Sequence, residues 1–222
     1  MSEQDGAAAT VAETTVDLAD ADATRAYGVA LAALLGAGDL VVLTGDLGAG
    51  KTTLTQGIGT GLGVRGAVAS PTFVIARVHP PLPRPDGATG PALVHVDAYR
   101  LGSLDEVDAL DLDTSLDESV TVVEWGEGLV ESLADDRLEV ALRRPRGADA
   151  AGGAPQAEHA EDAAAGVRTV TVRARGARWR GVALPAAPTA PAAPAALPDD
   201  AVRADDAALP AASATAPAAP PA

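Results

Sequence analysis

Leu40-Val-Val-Leu43 runs through Thr44 into Gly45-Asp46-Leu47-Gly48-Ala49-Gly50-Lys51-Thr52-Thr53, and this stretch decides the fold. The first four residues are a short, continuously apolar run, the pattern of a parallel strand buried on both faces. The next segment, Gly-x4-Gly-Lys-Thr, has the spacing of a phosphate-binding loop that leaves a strand and opens a helix. Glycines there let successive backbone N–H groups turn inward around phosphate oxygens, at the positive end of the helix dipole. Lys51 is placed to reach the outer phosphates of a nucleotide, and the Thr52 hydroxyl to ligate Mg²⁺. Asp46, Leu47, Gly48, Ala49, Gly50, Lys51, Thr52 and Thr53 are the expected nucleotide-binding set. Lys51 is also the only lysine, every other one of the sixteen basic residues being arginine. The preference for arginine stops at the one position that needs a compact ammonium instead of a planar fork.

A phosphate loop needs a second partner for its metal, normally an acid ending a neighbouring apolar strand. Leu93-Val-His-Val-Asp97 and Val120-Thr-Val-Val-Glu124 both end that way. Each brings a carboxylate to the carboxyl edge of the sheet, beside the phosphates. Strand-end acids also serve simply as loop caps, and with a phosphate loop present the functional role is favoured for at least one. Ser70-Pro71-Thr72-Phe73 opens a further strand, and its hydroxyls stand where a nucleotide sensor or a plain turn would.

Outward from the loop, helices alternate with strands. Asp22 is a capping residue for a helix with apolar face Tyr27, Ala30, Leu31, Leu34 and Leu35, closed by Gly36-Ala-Gly38. Strands are expected at Phe73–Val78, Leu93–Asp97 and Val120–Glu124, and a short helix from the capping-box pair Ser103 and Glu106 through Leu110. Leu138–Leu142 and Thr169–Arg173 read as a carboxy-terminal hairpin adding antiparallel strands at one edge. The whole is an α/β sheet with parallel central strands, antiparallel edge strands and flanking helices. One domain is expected over residues 1–180, with insertions near 80–91 and 147–166. Residues 181–222, almost all Ala, Pro and Asp, read as a disordered tail.

Net charge is −15 with a pI near 4.4, which argues against broad binding to DNA or RNA. The absence of cysteine removes disulfides, thiolate zinc sites and thiol catalysis. His79, His95 and His159 are scattered without metal-ligand spacing. The amino terminus lacks the basic and apolar regions of a secretory signal, and no apolar run reaches a membrane span. A cytoplasmic protein is expected.

Four ordered elements resemble the TsaE (YjeE) family of P-loop ATPases: Gly45–Thr53, Ser70-Pro-Thr72, His95-Val-Asp-Ala-Tyr-Arg100 and Val123-Glu-Trp125. The resemblance runs from about Asp20 to Arg175. It implies ATP and Mg²⁺ as cofactors, slow ATP hydrolysis by the protein alone, and action with the TsaB–TsaD complex. That complex places threonylcarbamoyl on adenosine 37 of tRNAs reading ANN codons. The resemblance makes Thr52 and Glu124 the Mg²⁺ ligands and gives Lys51 the phosphates. It sets Asp97 near the metal or the attacking water, so Lys51, Asp97 and Glu124 form the catalytic set. Ser70 and Thr72 fall in a switch-like segment, Trp125 falls near the nucleotide, and a buried structural role is expected for His95. Gly126 stands where the family usually has proline.

Two other functions share parts of this pattern. A small-molecule kinase would add an arginine-bearing lid; Arg65, Arg77 and Arg100 are available, but no Arg-rich helical lid is evident. A regulatory GTPase would carry Asn-Lys-x-Asp, and the chain contains no asparagine.

Overall fold

The structure is a computed structural model and describes residues 8–71, 74–84, 87–101, 103, 106–107, 110, 112, 116–144 and 166–188. Its strands are β1 (Thr10–Leu18), β2 (Leu40–Thr44), β3 (Ala76–His79), β4 (Ala92–Asp97), β5 (Ser119–Glu124), β6 (Arg137–Arg143) and β7 (Arg168–Arg175). The helices described in full are α1 (Ala21–Ala32) and α2 (Lys51–Leu62).

The apolar run Leu40–Leu43 becomes the middle strand of a seven-stranded sheet ordered β1-β7-β6-β2-β5-β4-β3. Val41 and Leu43 enter the core on one face, and Leu40 and Val42 enter a second core on the other. Burial on both sides is why the run does not alternate. Strands β6, β2, β5 and β4 are parallel. The edges are antiparallel: β3 on β4, and β7 with β1 beyond β6. This is a P-loop NTPase sheet of the expected class. The expected hairpin does form, with Arg143 opposite Thr169, but β6 itself runs parallel to β2. Only β7 and β1 supply the antiparallel edge there. The insertion expected over 147–166 lies outside the described residues except for Gly166. Residues 80–91 join β3 to β4, with isolated bridges Val64–Pro81 and Pro83–Thr89.

One face of the sheet is covered by α1 and α2. The other is covered by residues beyond β4 and β5 in the chain, among them Val107, Leu112, Leu116 and Val130. The cap of α1 is Asp20, not Asp22: its Oδ1 accepts from Ala23 N at 2.8 Å, while Asp22 pairs with Arg25 one turn on. The helix ends at Ala32 with Ala33 as its cap, before the glycines are reached. Tyr27, Leu31 and Leu35 are buried as expected, whereas Ala30 and Leu34 are half-buried. Three glycines inside α2 cost helix propensity, and packing accounts for them. A Cβ on Gly57 would collide with Arg25 O of α1, one on Gly59 would lie 2.7 Å from Val68 Cγ2, and one on Gly61 2.5 Å from Ala32 Cβ of α1; on α1 itself, a Cβ on Gly28 would collide with Leu54 O of α2.

Three further differences from the sequence-based expectation are local. The strand expected from Phe73 starts at Ala76, because Ile75 has φ 67°, outside the extended region; Thr72 and Phe73 lie outside the described residues. The helix expected from Ser103 is described only in part, with Glu106 N donating to Ser103 Oγ at 3.4 Å. The chain also remains packed beyond residue 180. Trp179 is fully buried, Val182 and Leu184 lie against the core, and Tyr27 donates its hydroxyl to Pro185 O at 3.0 Å. Residues 189–222 lie outside the described residues. Among the described residues no helix is long and apolar enough to cross a membrane.

Candidate nucleotide-binding site

The chain leaves β2 through Gly45 (φ 138°), Gly48 (φ 75°) and Gly50 (φ 107°) before α2 begins at Lys51. All three glycines adopt backbone angles that L side chains rarely tolerate. At Gly45 a Cβ would also collide with Leu142 O, and at Gly50 it would lie 3.3 Å from Arg168 Nε. Glycine is therefore required at Gly45 by conformation and by space, and at Gly50 chiefly by conformation. The loop folds over the amino terminus of α2, whose unpaired N–H groups and dipole suit an anion.

Lys51 is the first residue of α2 and is nearly buried, at 5% exposure. Its Nζ donates to Gly45 O at 2.8 Å and Asp46 O at 3.1 Å, and lies 3.7 Å from the centre of the Trp125 ring. Burial pushes the ammonium below its usual range, while the Glu124, Asp97 and Asp46 carboxylates pull it back upward. With loop carbonyls and an aromatic face as its partners, the ammonium is poised to exchange them for a stronger anion.

Parallel pairing sets Asp97 opposite Glu124 at the carboxyl ends of β4 and β5. Thr52 Oγ1 donates to Glu124 Oε1 at 2.8 Å, joining the helix to the strand end. His95, two residues before Asp97 and so on the same face of β4, contacts the same oxygen through Nε2, also at 2.8 Å. Asp97 accepts from Ser70 Oγ at 3.1 Å and, as the cap of a single 3₁₀ turn, from Tyr99 N at 3.1 Å. Trp125 comes directly after Glu124 with φ 63° and donates its backbone N–H to Leu43 O at 3.0 Å. That backbone turn presents the indole to Lys51 and to Tyr99, whose ring centre is 5.3 Å away. Gly126 admits no larger residue without a shift, since a Cβ there would lie 2.8 Å from both Val123 and Val130 side chains.

These groups surround a cleft of about 580 Å³ lined by Leu47, Gly48, Gly50, Lys51, Thr52, Thr53, Ser70, Asp97, Tyr99, Glu124 and Trp125. The structure thus brings together the loop, both strand-end carboxylates, Ser70 and the indole. None of Arg65, Arg77 and Arg100 lines the cleft. Thr52, Glu124 and Asp97 offer the hard oxygen donors that Mg²⁺ prefers. Among the described residues no group of three or more His, Cys, Asp or Glu side chains is arranged to hold a metal.

Sequence alone assigned no role to Tyr99 or Arg168 and gave His95 only a structural one. The alternation that sets His95 on the face of Asp97 was readable in Leu93–Asp97. Arg168 opens β7 at 1% exposure and packs on Gly50, so it braces the loop from the side opposite the carboxylates. Nothing in its local sequence connects it to a loop more than a hundred residues earlier.

Residues 18–150 match the family described as threonylcarbamoyl adenosine biosynthesis protein TsaE. The chain belongs to the TsaE family. A TsaE from Streptomyces coelicolor, a tRNA threonylcarbamoyladenosine biosynthesis protein, is 59% identical over 156 residues, covering 70% of this chain and 93% of the relative. A TsaE from Mycobacterium tuberculosis (strain H37Rv) is 49% identical over 136 residues, covering 59% and 79%. The crystal structure of YdiB from Bacillus subtilis shares the fold with a TM-score of 0.51 and 30% identity, over 76% of this chain and 89% of that one. The matched TsaE region spans the phosphate loop, both strand-end carboxylates and Trp125.

Proposed function

We propose that this TsaE-family chain binds Mg²⁺·ATP in the cleft around Lys51 and hydrolyses it slowly on its own. In this reading it serves the threonylcarbamoyl modification of adenosine 37 in tRNAs reading ANN codons, together with the TsaB–TsaD complex. The observation that carries the reading is the contact of Thr52 Oγ1 with Glu124 Oε1 at 2.8 Å, directly after a glycine loop holding Lys51. It joins a phosphate cradle to a strand-end carboxylate, the two halves of a phosphoryl-transfer site. Lys51 would give up Gly45 O and Asp46 O for the outer phosphates, and the N–H groups of residues 48–52 would hold the rest. Thr52 and Glu124 would hold Mg²⁺, which supplies charge neutralisation at the phosphates when bound. Asp97, tied to Ser70 and lining the same cleft, would orient water. Catalysis would rest on positioning and electrostatics, as phosphoryl transfer requires little covalent help.

Two measurements test this. ADP should form from Mg²⁺·ATP without any added acceptor, since a need for one would indicate a kinase. The protein should also co-elute with TsaB–TsaD differently in ATP and in ADP. Absence of any nucleotide-dependent association would overturn the proposed partnership.

A further inference from the structure

His95 presents an arrangement that fold stability alone does not explain. It is fully buried on β4, on the face that packs toward α2. Its Nε2 lies 2.8 Å from Glu124 Oε1, and its Nδ1 is buried without a hydrogen-bond partner among the described residues. An ionised carboxylate only accepts, so Nε2 carries the hydrogen and Nδ1 is left as a bare acceptor. A buried unpaired acceptor is a cost that leucine or valine would avoid, and Leu93 fills the preceding position on this face of the strand at no such cost. Buried polar groups that break the local pattern in this way are characteristic of functional sites.

The two hydrogen bonds to Glu124 fall on one oxygen. Thr52 Oγ1 and His95 Nε2 both donate to Oε1, from α2 and from β4, and Oε2 receives no hydrogen bond among the described residues. A carboxylate held by one atom from two directions cannot rotate freely about its last torsion. Its second oxygen is therefore held in one position, on a residue that lines the cleft. We infer that His95 is a positioning residue which, with Thr52, anchors Oε1 of Glu124 and so reserves Oε2 for the hydrated divalent cation. This rests on the Mg²⁺ reading of the cleft and deepens it. His95 touches neither nucleotide nor metal; it acts only through the direction of the carboxylate. Outer partners of this kind commonly govern metal affinity by one to two orders of magnitude.

The test is calorimetric titration of the full-length protein with ADP, once with Mg²⁺ and once with EDTA, for wild type, His95→Leu and His95→Gln. The wild type should bind ADP more tightly with Mg²⁺. His95→Leu should lose about tenfold of that metal-dependent gain while its metal-free affinity stays unchanged. His95→Gln, which keeps an N–H donor at similar reach, should restore most of the gain. Should leucine prevent folding, His95→Asn takes its place, because its shorter amide does not reach Oε1; the same loss is expected. An intact Mg²⁺ gain in His95→Leu, or in His95→Asn where that replaces it, would overturn the inference. So would an equal loss with and without metal, which marks a merely structural role. If the wild type shows no Mg²⁺ gain, the metal reading itself fails and the positioning role with it, an outcome visible without any variant.

Discussion

At the scale of single residues, Glu124 is where the separate parts of the cleft meet. It accepts from Thr52 on α2 and from His95 on β4, and it counters the desolvation of Lys51. Glu124→Gln keeps the shape and removes the charge that would face a metal. Steady-state phosphate release from Mg²⁺·ATP should fall about a hundredfold in that variant, with the melting temperature little changed. Unaltered phosphate release would remove Glu124 from the proposed chemistry. The loop residues and both strand-end acids were legible in the sequence because each lies in a local pattern with a physical purpose. Arg168 was not, since its closeness to Gly50 depends on β7 pairing with β6, and β6 with β2. Tyr99 was visible within a motif, but its packing on Trp125 depends on a backbone turn at φ 63° that sequence does not display.

At the scale of elements, the central strands were readable because burial on both faces leaves an unbroken apolar run. β1 was not expected: only Val16 and Leu18 of its nine residues are buried, too few apolar positions for a clear period-two signal. The early start of α1 has a related cause, since Asp20 and Asp22 are both chemically able to cap and only the backbone decides. The glycines of α2 make a sharper case. They weaken the helix by propensity, and for Gly57 and Gly61 the gain appears only when α1 lies across it at backbone contact. Gly57→Ala should therefore destabilise the protein by about 1–3 kcal/mol, measured by urea unfolding, although alanine favours an isolated helix. A stabilised variant would show that the two helices have room to separate.

At the scale of the molecule, the sheet is closed on one side by residues near the start of the Ala- and Pro-rich tail. Arg178 forks onto Asp39 at 2.9 and 3.1 Å, Trp179 is fully buried, and Tyr27 reaches Pro185. Composition turns Ala- and Pro-rich near residue 181, which hid the few apolar anchors there. Trp179→Ala should cost about 3–5 kcal/mol in denaturant unfolding; a loss below about 1 kcal/mol would detach this segment from the folded unit. Tyr27 adds a pH signature. Burial pushes its phenol up to about 12 from an ordinary 10.0. Between those values the unfolded chain loses the proton and the folded one keeps it, so stability is full below pH 10 and falls toward pH 12. The loss is on the order of 2 kcal/mol and should be absent from Tyr27→Phe in unfolding measured across that range. The central claim remains that the loop around Lys51 holds the phosphates of ATP. Its most direct test is calorimetric titration of Mg²⁺·ATP into the wild type and into Lys51→Ala. The wild type should bind one nucleotide per chain and the variant, folded to the same melting temperature, none; undiminished binding by Lys51→Ala would contradict the account.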